Sequence, residues 1–187
     1  VSDYFLSKTK AERAAWDFME SKGLKNKLTT INPGGVFGDA LDKKGGTSIE
    51  YVRQFMKGKF PGAPKFAVLI SDVKDVAKSH VACIGNNKVG GRRLIVGKEV
   101  KKLVELSQLM AEAMPEYAKK LPTKELPNFM VKLISYLDSS AKTMIPDLGI
   151  LMQTDTTYAE ELLGLKFKTA KGCITENAKS VVRLGLV

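Results

Sequence analysis

Apolar residues follow two alternating rhythms along the first hundred positions: helical spacing in some segments, short continuous runs in others. Ala11, Ala14, Ala15 and Phe18 recur at helical spacing, Ser2 or Asp3 stands ready to cap them, and Lys22-Gly23 supplies a stop. "KLTTIN" is rich in β-branched residues and predicts a strand over Leu28 to Asn32. It leads into "PGGVFG", expected as a glycine-rich loop at the carboxyl end of that strand. Ile49, Val52, Phe55 and Met56 predict the buried face of a second helix, opened by Thr47-Ser48 with Glu50 following. "KFAVLI" is the next strand candidate. Ser71 or Asp72 then caps a third helix with Val73, Val76, Ala77, Val81 and Ile84 on its apolar face, and after the turn "NNKVGG" comes a strand in "RRLIVG". Alternation of this kind predicts a parallel sheet covered by helices, with ligands at the carboxyl ends of its strands.

From Val100 the pattern becomes helical. Val100, Leu103, Val104, Ser107, Met110, Ala111 and Met114 form a stripe halted by Pro115. Further helices are expected near Phe129 to Asp138, Thr156 to Leu163 and Thr175 to Leu184, with prolines at 122, 127 and 146 between them. The expected fold class is therefore α/β. Residues 1–38 and 66–98 would form part of a parallel sheet, and residues 39–65 and 99–187 a small, mostly helical lobe.

Composition adds exclusions. The 187 residues are 44% apolar, enough for one sizeable domain or one and a half. The longest apolar run, "FAVLI", is far too short to span a bilayer, and no signal-peptide pattern opens the chain, so a cytoplasmic protein without a membrane partner is expected. Thirty basic against twenty acidic residues give a net charge of +10. The lysines are scattered and no nucleic-acid-binding signature accompanies them, so a solvated basic surface is expected, with some excess charge available to an anionic cofactor or substrate. Cys83 and Cys173 lack metal-ligand spacing and are expected as buried free thiols, with a disulfide as the alternative. No metal is expected. His80, on a helix beside apolar residues, and the methionines at 110, 114, 130 and 144 are assigned to packing; Asp72 and Asp75 to capping and first-turn charge, with a carboxylate pair as the alternative; and Arg92 and Arg93 to a strand edge, with a phosphate contact as the alternative.

Tyr4 and Lys8 stand one helical turn apart on one face. A free phenol, with a pKa near ~10, is a poor acid at neutral pH. A neighbouring ammonium favours the phenolate and brings the group toward the working range. The spacing alone is common, and taken by itself it favours a structural or surface role. The context narrows the choice. Tyr4, Ser7, Lys8, Ala11 and Glu12 are followed by Asn32, Pro33, Gly34, Val36 and Gly38, and these by Asp72, Val73, Asp75, Val76, Ala77 and His80. Together with "GGRRLIV", "MPEYAKKLPTKELP" and "LGLKF", this succession resembles the extended short-chain dehydrogenase/reductase family, in its dihydroflavonol-reductase-like branch.

The resemblance covers essentially the whole chain and implies a Rossmann-type sheet with a substrate lobe. It implies an NADP- or NAD-dependent enzyme that reduces a small-molecule carbonyl compound to an alcohol. Tyr4 would be the proton donor, and Lys8 would tune it and bind the nicotinamide ribose. Pro33, Gly34, Gly35 and Val36 would meet the carboxamide end of the cofactor, where side chains would be in the way. Ser48 would make a polar cofactor contact, with helix capping as its other reading. The family's dinucleotide fingerprint does not occur in this sequence. The resemblance therefore implies that the chain is the carboxyl-terminal part of a longer reductase whose amino-terminal half binds the adenosine and pyrophosphate. That missing half and a second copy of the chain, in a homodimer, are expected partners. Nucleotide-sugar epimerases and dehydratases of the same family would use the same tyrosine and lysine. A reading from another class is a non-catalytic module whose basic surface meets an acidic partner.

Overall fold

The computed structural model describes residues 2–136, 145–150 and 153–187. Helix α1 (Asp3–Ser21) ends at a left-handed Gly23, whose amide donates to the Glu20 carbonyl at 2.9 Å while Leu24 N donates to Met19 O at 2.8 Å. This is the stop that Lys22-Gly23 predicts. Ser2 holds the cap position, though without a side-chain bond. The helix turns an unexpected face inward. Ala11, Ala14 and Phe18 are exposed, and Glu12, Ala15, Trp16 and Met19 are half-buried. Polar contacts to Glu12, described below, set this rotation in place of apolar packing.

Strand β1 (Thr29–Pro33) pairs in parallel with β5 (Arg92–Val96), Thr30 lying opposite Arg93. Beside them stands a three-stranded sheet. In it β2 (Gly35–Phe37) runs parallel to β4 (Ala67–Asp72), and β6 (Glu99–Lys102) runs antiparallel to β4. The expected parallel pairing is present, and the antiparallel edge is an addition. β2 lies within the stretch expected as a loop, and β6 takes Val100 away from the helix expected to start there. Both are short strands templated by β4. A third short pair joins β3 (Ala63–Pro64) to β7 (Glu125–Leu126). Ser71 ties the two larger sheets together: its hydroxyl donates to Val96 O at 2.6 Å and accepts from Gly34 N at 2.9 Å.

The main core lies between β4 and three helices. These are α2 (Thr47–Met56), α4 (Leu103–Ala113) and α7 (Ala170–Arg183). α2 buries Val52, Phe55 and Met56, the face its spacing predicts. Leu106, Met110 and Ile174 are wholly buried against them. Each such side chain contributes about 1.5–3 kcal/mol. α4 stops ahead of Pro115, as expected. α7 starts ahead of the expected Thr175, because Thr169 caps it by accepting from Gly172 N at 3.2 Å.

A second core gathers Val89, Leu94 and Val96 with residues of α6 (Thr157–Leu163) and Phe167. Next to it, α3 (Val73–Cys83) is capped by Asp72, whose Oδ1 accepts from Lys74 N at 2.9 Å. The expected apolar face of α3 is not the buried one: Val73, Val81 and Ile84 are exposed, and Asp75 and Ser79 are buried. Asp75 is therefore no mere first-turn charge. Its Oδ2 accepts from Lys168 N at 2.6 Å, and this long-range bond fixes which side of α3 faces in. His80 is likewise exposed, not packed, with Nδ1 2.8 Å from Val76 O.

Helix α5 (Asn128–Ile134) accounts for the stretch expected near Phe129, whereas Asp138 and Met144 lie outside the described residues. Met110 and Met114 are buried, and Met130 is partly exposed. Cys173 is buried and Cys83 half-buried, both as free thiols, and burial pushes each above the usual thiol range.

Candidate active site

A cleft of about 1290 Å³ opens beside the carboxyl end of β1. Tyr4 and Phe5 from α1 form one wall, and Pro33, Gly34, Gly35 and Val36 line the same space. Ser48 and Ile49 from the first turn of α2 line it as well, and Phe66 and Val68 supply apolar surface. Six of the seven sequence-derived site residues thus border one cavity. The seventh, Lys8, does not line it. Its ammonium reaches the Tyr4 ring instead, 5.6 Å from the centroid. Tyr4 is well exposed, so its hydroxyl is not sealed in packing. Ser48 does not cap α2: Gly46 holds the cap position and no side-chain cap bond forms.

The glycines of the rim have a packing reason for being glycines. A Cβ on Gly34 would collide with the Leu69 carbonyl and lie 2.6 Å from the Leu69 Cβ. One on Gly35 would lie 2.8 Å from the Phe37 ring and 2.9 Å from Val68. The close approach required at Gly34 is thus to strand β4.

The far wall is gripped by α7. Asn177 Nδ2 donates to Gly38 O at 2.5 Å, Ser180 Oγ accepts from Ala40 N at 3.0 Å, and Arg183 donates to Asp39 at 2.7 Å and to Ala40 O at 2.8 Å. Three residues spaced by three on one helix face hold the backbone of Gly38 and Ala40 and the side chain of Asp39 between them. None was singled out from the sequence. Their spacing was the only local signal, because the loop they hold lies about 140 positions away.

Lys168 continues the polar framework, 2.8 Å from Glu176 and 3.1 Å from the buried Asp72. Its burial, which would lower the ammonium's pKa, is outweighed by these two carboxylates, and the group titrates above its usual range.

Glu12, known from the sequence only as a motif position, is the polar anchor of α1. Its side chain is 17% exposed and pairs with Arg93, Nε to Oε1, at 2.8 Å. Thr30, Asn32 and Trp16 also donate to its carboxylate. Burial works against ionisation here, but the donors from Arg93, Trp16, Asn32 and Thr30 outweigh it and hold the carboxyl below its usual range. Arg93 is therefore engaged at the strand edge where it was expected.

Among the described residues, no cluster of three or more His, Cys, Asp or Glu side chains is placed to hold a metal ion. None of the described helices is long and apolar enough to cross a membrane.

No protein-family model matches the chain. Individual proteins do. The NADPH-dependent methylglyoxal reductase GRE2 of Saccharomyces cerevisiae is 29% identical over 194 residues, covering 98% of this chain and 52% of its own length. The putative NADPH-dependent methylglyoxal reductase GRP2 of Candida albicans is 27% identical over 188 residues, covering 97% of this chain and 51% of its own. The crystal structure of yeast methylglyoxal/isovaleraldehyde reductase Gre2 complexed with NADPH superimposes with a TM-score of 0.70 at 27% identity, over 95% of this chain and 54% of that one. The relatives are NADPH-dependent reductases of the extended short-chain dehydrogenase/reductase family, so the resemblance carried by the motifs is borne out, as is the Rossmann-type fold. The chain spans about half the length of the curated relatives it matches.

Proposed function

We propose that this chain is the carboxyl-terminal part of an NADPH-dependent carbonyl reductase of that family, with Tyr4 as the proton donor to the substrate oxygen. The observation that carries the reading is the meeting of Tyr4 with Pro33, Gly34, Gly35 and Val36 around a single cleft. The cleft suits the nicotinamide end of the cofactor together with a substrate. It is larger than a site for one small ligand need be, its walls include Phe37, Phe66 and Val68, and its rim carries no side chain at two positions. When bound there, NADPH supplies the hydride to the carbonyl carbon.

Tyr4 holds a proton at its hydroxyl and delivers it to the oxygen of the substrate as charge builds there. Lys8, whose ammonium lies over the Tyr4 ring at 5.6 Å from its centroid, stabilises the negative charge left on the phenol; from outside the cleft lining it would have to swing inward to meet the nicotinamide ribose. Pro33 to Val36 would hold the nicotinamide end of the cofactor, and Ser48, which lines the same cleft, would offer it a hydroxyl. The segment that holds adenosine and pyrophosphate lies upstream in this reading, which is supported by relatives about twice as long as the match. Exposed Phe5, Leu6 and Phe18 on α1 support a covering of that helix by the upstream half.

The test is the full-length protein with NADPH and a panel of aliphatic and aromatic aldehydes and ketones. Carbonyl-dependent oxidation of NADPH is expected. Absence of turnover across the panel, in a protein that binds NADPH, overturns the proposal.

A further inference from the structure

Helix α1 carries the proposed proton donor, yet none of its residues is fully buried. Its chief attachment is polar. Glu12 Oε1 accepts from Arg93 Nε at 2.8 Å, from Thr30 Oγ1 at 3.0 Å and from Trp16 Nε1 at 3.3 Å, and Oε2 accepts from Asn32 Nδ2 at 2.9 Å. Thr30 and Arg93 are direct partners in the β1–β5 ladder. Asn32 lies two residues on, on the same face of β1, and immediately precedes Pro33 of the cleft rim. One carboxylate therefore ties the helix to both strands and to the residue next to the proposed nicotinamide contact.

The arrangement suits an ionised carboxylate. Four donors converge, and a group with two acceptor oxygens and no hydrogen of its own satisfies them all. Tyr4, Lys8 and Glu12 stand four apart along one stripe of α1. Because Tyr4 and Lys8 share that helix, loosening Glu12 leaves their mutual geometry alone and moves both relative to the rim. The lever is long: eight residues span about 12 Å of helix, so a tilt of roughly 5° shifts Tyr4 by about 1 Å.

We infer that Glu12 is a positioning residue for carbonyl reduction, setting the tilt and roll of α1 on the β1–β5 ladder and so the place of Tyr4 opposite Pro33 to Val36. The catalytic consequence rests on the reductase reading above; the clamp itself does not.

The test uses the full-length protein with Glu12→Gln, and with Arg93→Met as a second variant at an exposed side chain that removes one donor. Amide hydrogen exchange is measured along α1, alongside kcat, KM for NADPH and the isotope effect with deuterated NADPH. Glu12→Gln is expected to speed exchange within α1 and to lower kcat roughly 10- to 100-fold with KM for NADPH little changed. The isotope effect should rise as hydride transfer becomes slower. Arg93→Met should show the same changes to a smaller degree. Unchanged exchange in α1 overturns the clamp. Faster exchange with kcat unaltered overturns the positioning role. If the wild-type protein oxidises no NADPH with carbonyl compounds, the reductase reading fails on its own, and the exchange data still decide the clamp.

Discussion

Replacing Gly34 by alanine separates two reasons for a glycine at the rim of the cleft. Gly34 links β1 to β2, and a Cβ there would collide with the Leu69 carbonyl and lie 2.6 Å from the Leu69 Cβ. Leu69 is poorly placed to yield. It sits inside β4, between β2 and β6, opposite Val100. Relief must come from moving the Gly34 segment away, which stretches the 2.9 Å bond from Gly34 N to Ser71 Oγ at the junction of the sheets. Overpacking costs about 1–3 kcal/mol, and the lost hydrogen bond about 0.5–1.5 kcal/mol. Alanine returns about 0.4–1 kcal/mol by restricting the unfolded chain, since Gly34 is outside the left-handed region. The net is a destabilisation of about 2 kcal/mol. Thermal and urea unfolding of the full-length wild-type and Gly34→Ala proteins, each with and without NADPH, measure it. Because the clash is internal, the loss should be present in full without cofactor. Unchanged apo stability accompanied by weaker NADPH binding would refute this reasoning and return Gly34 to the role of clearing the cofactor.

Two further outcomes concern stability. Among the described residues the buried Tyr51 hydroxyl has no hydrogen-bond partner, and burial pushes its pKa up, so Tyr51→Phe should leave the urea midpoint unchanged or raise stability by up to about 1 kcal/mol; a clear loss would reveal a partner for that hydroxyl. Glu12, Glu99 and Glu160 all titrate below the usual carboxylate range, burial being outweighed by Arg93 and its companions at Glu12, by Lys101 and the Ala170 amide at Glu99, and by Lys98 and the Phe167 amide at Glu160. Lowered folded-state values mean that their contribution is complete above the unfolded value of about 4.3 and is lost as pH falls through the folded values. Urea midpoints should therefore decline as the pH is taken below ~4, and a flat profile there would contradict the three hydrogen-bonding assignments.

Much of this fold was legible where one rhythm dominates a segment. The Val52, Phe55 and Met56 face of α2, the β-branched run of β1 and the glycine stop after α1 are local signals, and all stand where expected. Illegible were elements decided at a distance. β6 is Glu-Val-Lys-Lys, a strand only because β4 offers it an edge. α3 turns Asp75 and Ser79 inward because Asp75 finds the Lys168 amide, far along the chain. At the candidate site, Tyr4 and the glycine rim carry motif spacing, whereas Asn177, Ser180 and Arg183 acquire meaning only when α7 meets the Gly38–Ala40 wall. Glu12 was visible as a motif position, but the convergence of Thr30, Asn32 and Arg93 upon it needed the β1–β5 ladder.

The most direct measurement is the pre-steady-state rate of carbonyl reduction by the full-length Tyr4→Phe protein saturated with NADPH. Removing one hydroxyl from the cleft wall should leave cofactor affinity close to wild type and slow the chemical step by about 100-fold or more. A phenylalanine variant that reduces substrate at the wild-type rate would show that the proton comes from another group.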